Sequence, residues 1–174
     1  SKSGSNPHFA GDNKRVYFTT SVAGTDYPER QLVSVDLNGE DKKEHLYGAD
    51  NIIEYRLSPD KKWVAFTYQY KPFVAAFADI GKRLNIGPKT KDFPVKQIAK
   101  EAGEYLNWSG DSSGLGWHHG PWYYERDLES TFDFLTGNEL TGEETPSKTN
   151  LSMQVDFAKP TGHVALVGGK VVTM

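Results

Sequence analysis

Three aspartates stand at matching places in this chain. Asp12 lies in F-A-G-D-N-K-R-V-Y-F (Phe9 to Phe18), Asp60 in L-S-P-D-K-K-W-V-A-F (Leu57 to Phe66) and Asp111 in W-S-G-D-S-S-G-L-G-W (Trp108 to Trp117). Three carboxylates are enough to hold a cation or to share acid–base work, but their neighbours argue for another role. In Ser58-Pro59-Asp60-Lys61, proline presets φ for a reverse turn and the short carboxylate bonds nearby backbone amides. Each Asp is therefore expected to close its own hairpin, far from the other two.

The remaining titratable groups are sparse. The histidines are His8, His45, His118, His119 and His163, and none forms an H-x-H pair. Adjacent His118 and His119 on a strand point to opposite faces, so they cannot chelate one metal together. Glu104 with Asp111, or Glu125 with Asp127, would be candidate carboxylate pairs. The second pair has the i, i+2 spacing of one strand face, although Arg126 between them suits an ordinary surface. There is no cysteine, which removes disulfide and thiolate chemistry. No nucleophile elbow, phosphate loop or dinucleotide fingerprint is present, and Gly168-Gly169 reads as a hairpin turn. The densest aromatic and imidazole cluster is His118, His119, Trp122, Tyr123 and Tyr124. It is the candidate rim or ligand-contact site, with packing between structural units as the alternative.

The elements that position these residues repeat. The three copies begin at Phe9, Leu57 and Trp108. A period of about 40–50 residues marks a propeller or solenoid built from one supersecondary unit per repeat. In the first unit, Val16–Thr20 and the alternating run Gln31–Leu37 read as strands, with a hairpin at Asn38-Gly39 before a short strand at His45–Tyr47. The second unit offers Ile52–Leu57, Trp63–Tyr70, Phe73–Phe77 and Leu84–Ile86, four strands as one blade requires. Residues 87–102 read as a longer connection, and only Val95–Ala102 could form a turn or two of helix. The third unit offers Glu104–Trp108, Leu115–His118, Trp122–Leu128 and Thr131–Leu135. The large residues flanking the repeated turn (Phe9, Phe18, Leu57, Trp63, Phe66, Trp108 and Trp117) are expected to pack between blades. Two further strands, Leu151–Phe157 and His163–Thr173, follow the polar stretch G-E-E-T-P-S-K-T-N. The predicted fold is all-β: a partial β-propeller of about three four-stranded blades plus two extra C-terminal strands.

Bulk composition narrows the function classes. The chain has 174 residues, 37% hydrophobic and 13% aromatic, which suits one domain with a substantial core. A net charge of −3 with scattered lysines and arginines leaves no basic stripe for a run of phosphates, so nucleic acid is not an expected partner. No apolar run reaches the length of a membrane-spanning helix. The start, S-K-S-G-S-N, lacks an initiator Met and a signal-peptide core, and the end is the strand-like V-A-L-V-G-G-K-V-V-T-M. Both ends lead to the expectation that this is a segment of a longer chain.

The copy L-S-P-D-K-K-W-V-A-F resembles the TolB-type, WD-like propeller repeat, in which S-P-D-G precedes an apolar strand; Lys61 stands in place of that Gly. A narrower resemblance rests on A-G-E-Y-L-N-W-S-G-D-S (Ala102–Ser112), G-P-W-Y-Y-E-R-D-L and the tail F-A-K-P-T-G-H-V-A-L-V-G-G-K-V-V-T-M. These are similar to the last blades and the domain junction of a subgroup of bacterial amidohydrolases in which a propeller precedes the catalytic domain. The resemblance implies propeller blades over residues 1–141 (repeats at about 6–50, 51–101 and 102–141). It implies a linker at 142–150, then a closing strand and the start of an amidohydrolase domain at 151–174. It also implies a periplasmic or secreted protein. The divalent, zinc-like metal of that family would be held by residues after Met174, with no cofactor and no catalytic residue in this segment.

Three functional readings follow. The first is a non-catalytic propeller segment of an exported, metal-dependent amidohydrolase-like enzyme, framing its active site or binding a partner. The second is a protein-binding propeller of the TolB kind. The third is the gating propeller of a prolyl-oligopeptidase-type serine hydrolase. The expected partners are the rest of the parent chain and, through two uncovered blade faces, a second copy completing a six-bladed ring.

Overall fold

The computed structural model describes residues 4–22, 29–48, 51–137, 145–159, 161–163, 165 and 167–170. Within them the chain forms three sheets in sequence order, an open arc of β-propeller blades. The first sheet contains β1 (Gly4–Phe9), β2 (Arg15–Ser21), β3 (Arg30–Asp36) and β4 (Lys43–Gly48) in antiparallel order. The second contains β5 (Ile52–Leu57), β6 (Trp63–Tyr68) and β7 (Lys71–Ala76). A two-residue strand, β8 (Leu84–Asn85), returns to pair in parallel with β4, and β9 (Val95–Gln97) completes the second sheet beside β7. The third sheet is β10 (Glu104–Trp108), β11 (Gly114–His119), β12 (Trp122–Asp127) and β13 (Ser147–Asn150), with one short helix, α1 (Asp133–Thr136), between its last two strands.

The middle blade explains the sequence best. Alternate residues of a strand face opposite sides of its sheet. Val64, Phe66, Phe73 and Ala75 enter a buried cluster with Tyr17, Leu32, Leu46 and Tyr55. Trp63, Ala65 and Val74 enter a second cluster with Leu106, Leu115, Trp117 and Phe132. A sheet covered on both faces reads as a continuous apolar run, hence W-V-A-F and F-V-A-A-F. The outer blades have one such neighbour each, and β2, with Tyr17 and Thr19 buried between less buried neighbours, alternates.

That difference corrects part of the packing expectation. Leu57, Trp63, Phe66 and Trp117 are buried between blades, and Trp108 is half-buried. Phe9, however, is 53% exposed, and Phe18 is half-buried on the side of the first blade that faces no other blade. The open side of the third blade is largely polar, with Gly116, His118, Tyr123 and Glu125 as cross-strand partners. A Cβ on Gly116 would lie 2.1 Å from the Tyr123 hydroxyl, so the ring lies directly over the glycine.

Several strand assignments also change. The fourth strand of the middle blade is Val95–Gln97, inside the stretch expected as a connection or a turn of helix, while Leu84–Asn85 joins the first sheet. Strand periodicity is blind to which sheet edge a short segment joins. Residues 131–135 do not form a strand. Phe132 N–H bonds to Leu128 O at 2.9 Å, the chain turns, and the Phe132 ring stacks on Trp63 at 5.0 Å. The fourth strand of that blade is instead Ser147–Asn150, exposed along its whole length, so it carries no apolar alternation. Residues 142–144 of the expected linker lie outside the described residues. Leu151–Phe157 forms no strand, and its apolar side chains Leu151, Met153, Val155 and Phe157 are exposed. Of the strand expected at 163–173, residues 163, 165 and 167–170 carry none, and the rest lies outside the described residues.

Candidate functional site

The repeated turns use their carboxylates locally. Asp60 Oδ1 accepts from Ser58 Oγ at 2.6 Å and Lys62 N at 3.0 Å, and Ser58 Oγ accepts from Trp63 N at 3.0 Å. The third copy repeats the network: Ser109 Oγ at 2.7 Å and Ser113 N at 3.0 Å on Asp111 Oδ1, and Gly114 N on Ser109 Oγ at 2.9 Å. Those donors hold the Asp111 carboxyl down at about 2. The first copy has Ala10 where the serine stands, and Asp12 accepts from the Lys14 amide at 3.2 Å with the Lys14 ammonium 3.6 Å from its other oxygen. Asn13, Lys61 and Ser112 take the same left-handed φ of 57°, 58° and 65°, the position that glycine fills most easily. The turns also join blades, through Gly11 N to Pro59 O at 2.6 Å and Asp60 N to Ser112 Oγ at 3.0 Å.

The rim cluster divides across the third sheet. His118 pairs with Tyr123 on the open face, their rings 5.0 Å apart, and the Tyr123 hydroxyl donates to Asn107 Oδ1 at 3.2 Å. His119 pairs with Trp122 on the opposite face, where Tyr124 stacks on Trp117 at 5.8 Å. Lys148 Nζ sits 4.9 Å from the Trp122 ring. The five residues therefore contribute to two surfaces rather than one site. Glu125 and Asp127 share the open face and line a cavity of about 410 Å³, whereas Glu104 and Asp111 lie beyond opposite ends of Tyr105–Trp108.

The first strand of each blade, β1, β5 and β10, is paired on one edge only, and the three lie side by side. All three are bulged at the same place, between Ser5 and His8, Ile52 and Tyr55, and Glu104 and Asn107. Counted back from the repeated turn, His8, Arg56 and Asn107 correspond, each one residue before Phe9, Leu57 or Trp108. His8 Nε2 accepts from Leu57 N at 3.0 Å while its Nδ1 faces Asn6 O at 2.9 Å, so the ring is neutral with the proton on Nδ1. Burial pushes its pKa down to about 4. Arg56 Nε donates to Leu106 O at 3.0 Å, and Trp108 Nε1 donates back to Arg56 O at 2.9 Å. Glu54, 7% exposed, accepts from Asn6 Nδ2 at 2.9 Å, and burial raises its carboxyl pKa.

A further constellation escapes sequence reasoning. Ser34 Oγ lies 2.8 Å from His45 Nε2, and His45 Nδ1 lies 3.9 Å from Asp79 Oδ2. The residue types match a hydrolytic triad, but the surroundings do not. Ser34 has no exposed surface, its hydroxyl also accepts from Arg15 Nε at 2.8 Å, and it lines neither described cavity. Burial lowers the His45 pKa, keeping the ring neutral, and the group acts as a polar tie within the first blade. The only sequence signal is a serine on the core-facing register of Q-L-V-S-V-D-L.

A larger cavity, about 660 Å³, opens between β9 and the inward side of the third blade, with Arg126 on its wall. Among the described residues no three His, Asp or Glu side chains converge as a metal would require.

No family model matches the chain, and no curated protein matches it. Among solved structures, the β-propeller domain of the Trilobed protease from Pyrococcus furiosus is similar at 22% identity with a TM-score of 0.44, over 73% of this chain and 39% of that one. The acylaminoacyl peptidase of Pyrococcus horikoshii is similar at 15% identity with a TM-score of 0.42, over 84% of this chain. The chain thus spans 39% and 25% of the lengths of these two proteins.

Proposed function

We propose that the chain is a non-catalytic, access-controlling length of β-propeller that frames the entrance to a hydrolase catalytic domain. The observation that carries this reading is the shared inner edge. Three bulged first strands stand side by side, with Asn6, Glu104 and Tyr105 along them. Tyr105 is 73% exposed although it belongs to a strand. A rigid frame with such a polar, aromatic inner wall suits selection of what passes. Gating of the prolyl-oligopeptidase kind is the form of this role that we favour. The protease and peptidase names above are in keeping with it, but the reading rests on the inner edge and not on those names.

A second reading, an exported amidohydrolase as parent, is favoured by the tail motif F-A-K-P-T-G-H-V-A-L-V-G-G-K-V-V-T-M. Under it a zinc-like ion belongs to residues after Met174. Among the described residues no three His, Asp or Glu side chains converge to hold it. In either case the exposed Leu151, Met153, Val155 and Phe157 offer an apolar surface to the rest of the chain or to a second copy.

The test is substrate-size selectivity of the parent enzyme. Tyr105→Ala with Glu104→Gln should raise hydrolysis of long substrates several-fold relative to short ones. An unchanged ratio in a folded variant would sink the gating reading. Inactivation by a serine-directed phosphonate, or by a chelator instead, separates the two parent classes.

A further inference from the structure

The cavity of about 660 Å³ lies along the outer part of the seam between the second and third blades, and its chemistry is unlike that of the chain around it. The chain carries a net charge of −3, yet among the described residues that line this cleft are Lys96, Lys100 and Arg126 with one carboxylate, Glu101. Arg126 is held rigidly. Its Nη1 donates to Ile98 O at 3.2 Å and its Nη2 to Ser130 O at 3.1 Å. Both acceptors are neutral carbonyls. Among the described residues no carboxylate pairs with this guanidinium, and its Nε is shielded from solvent with no acceptor. A guanidinium has five N–H donors, so most of its hydrogen-bonding capacity remains unmet.

A half-buried cation without a counter-charge is costly unless something negative reaches it. Beside Arg126 on the same face of the third sheet, Tyr124 stacks on the buried Trp117, their ring planes 7° apart, and both rings line the cleft. The volume falls within the ~300–1,000 Å³ usual for small-ligand pockets. A preset guanidinium fork beside an aromatic ring selects planar anions, and Lys96 adds attraction at longer range.

We propose that this cleft binds a carboxylate carried next to an apolar or aromatic group, with Arg126 as the fork that receives it. The C-terminus of a peptide ending in a large apolar residue and a free aryl-alkanoic acid share this chemistry. The proposal is independent of which catalytic domain the propeller serves.

Calorimetric titration of the 174-residue chain tests it with three probes: a tetrapeptide acid ending in Phe, the same peptide as its C-terminal amide, and 3-phenylpropionate. At least one acid should bind, with the amide weaker by about tenfold or more, the usual effect of removing a charge-assisted bond. Arg126→Gln should abolish that preference, and Arg126→Lys should restore part of it. Lys96→Ala, which removes no hydrogen bond seen in the structure, should weaken the acid several-fold and guards against a folding defect at Arg126. Binding of the tetrapeptide acid alone assigns a peptide terminus, and binding of phenylpropionate alone assigns a free acid. Equal binding of acid and amide, no binding of either acid, or wild-type affinity in folded Arg126→Gln and Lys96→Ala would overturn the proposal.

Discussion

At the seam between the first and second blades a histidine carries the cross-strand bond, and at the seam between the second and third the corresponding position is an arginine. His8 accepts a backbone amide, while Arg56 donates to a backbone carbonyl. The first seam is sealed around Tyr17, which lies between His8 and His45, and both imidazoles are kept neutral by burial. The buried cluster of the second seam contains no histidine, and its outer part opens into the Arg126 cleft. One repeat position thus places an imidazole across the first seam and a guanidinium across the second. The third copy, Asn107, has no following blade to reach and bonds within its own sheet.

The largest expected effect compares the two seams by truncation. Phe66, fully buried and stacked on Phe73 at 5.4 Å, leaves a closed void when replaced. Phe66→Ala should cost about 3–5 kcal/mol. Trp117 is the larger ring but already borders the cleft, so Trp117→Ala should cost less, because water can occupy the space. Chemical denaturation of both variants checks the order, and a greater loss at Trp117 would mean that the second seam is the drier one.

Acid should act on the first seam next. The pKa of folded His8 is about 4 against an ordinary 6.5, so the unfolded chain binds more protons between those values. Stability is fully present above about pH 6.5 and lost as pH falls toward 4, by up to ~3 kcal/mol for this group. Glu54, whose carboxyl pKa is raised by burial, works in the opposite sense: its contribution diminishes as pH rises above 4.5. The difference in pH slope between wild type and His8→Asn therefore isolates the histidine. Parallel slopes would remove it from the account.

Arg56→Met should cost about 1–3 kcal/mol by leaving Leu106 O without its charged donor. This loss is read at pH 8, because the Arg56 charge also lowers the pKa of His8 and of Glu54. The smallest effect compares the turns. Lys61 holds a left-handed φ of 58°, so Lys61→Gly should stabilise by about 1 kcal/mol. Asn13→Gly should gain less, since asparagine tolerates that conformation. A thermal melt ranks the two.

How far the sequence could be read depended on side-chain patterning. The doubly covered runs W-V-A-F and F-V-A-A-F and the Asp turns were legible, because burial and local hydrogen bonding act within a few residues. Ser147–Asn150 was not, since an exposed edge strand needs no apolar alternation to be held by backbone bonds. The same holds for Val95–Gln97, where the partner strand and not the segment's own pattern decides the pairing. At the candidate site, His118, His119, Trp122, Tyr123 and Tyr124 were legible as a cluster, but their division between two faces came from register. Arg126 looked like a surface charge beside Glu125, and only the fold set its guanidinium against Ile98 and Ser130.

The amino-acid sequence alone determined a threefold repeat of turn and strand, because those choices are made by φ preferences and by alternation along one strand. The tertiary structure decided which edges pair, which histidines are buried neutral and where an arginine is left without a counter-charge. Those outcomes depend on residues about fifty positions apart meeting across a seam, a distance over which local patterning carries no information.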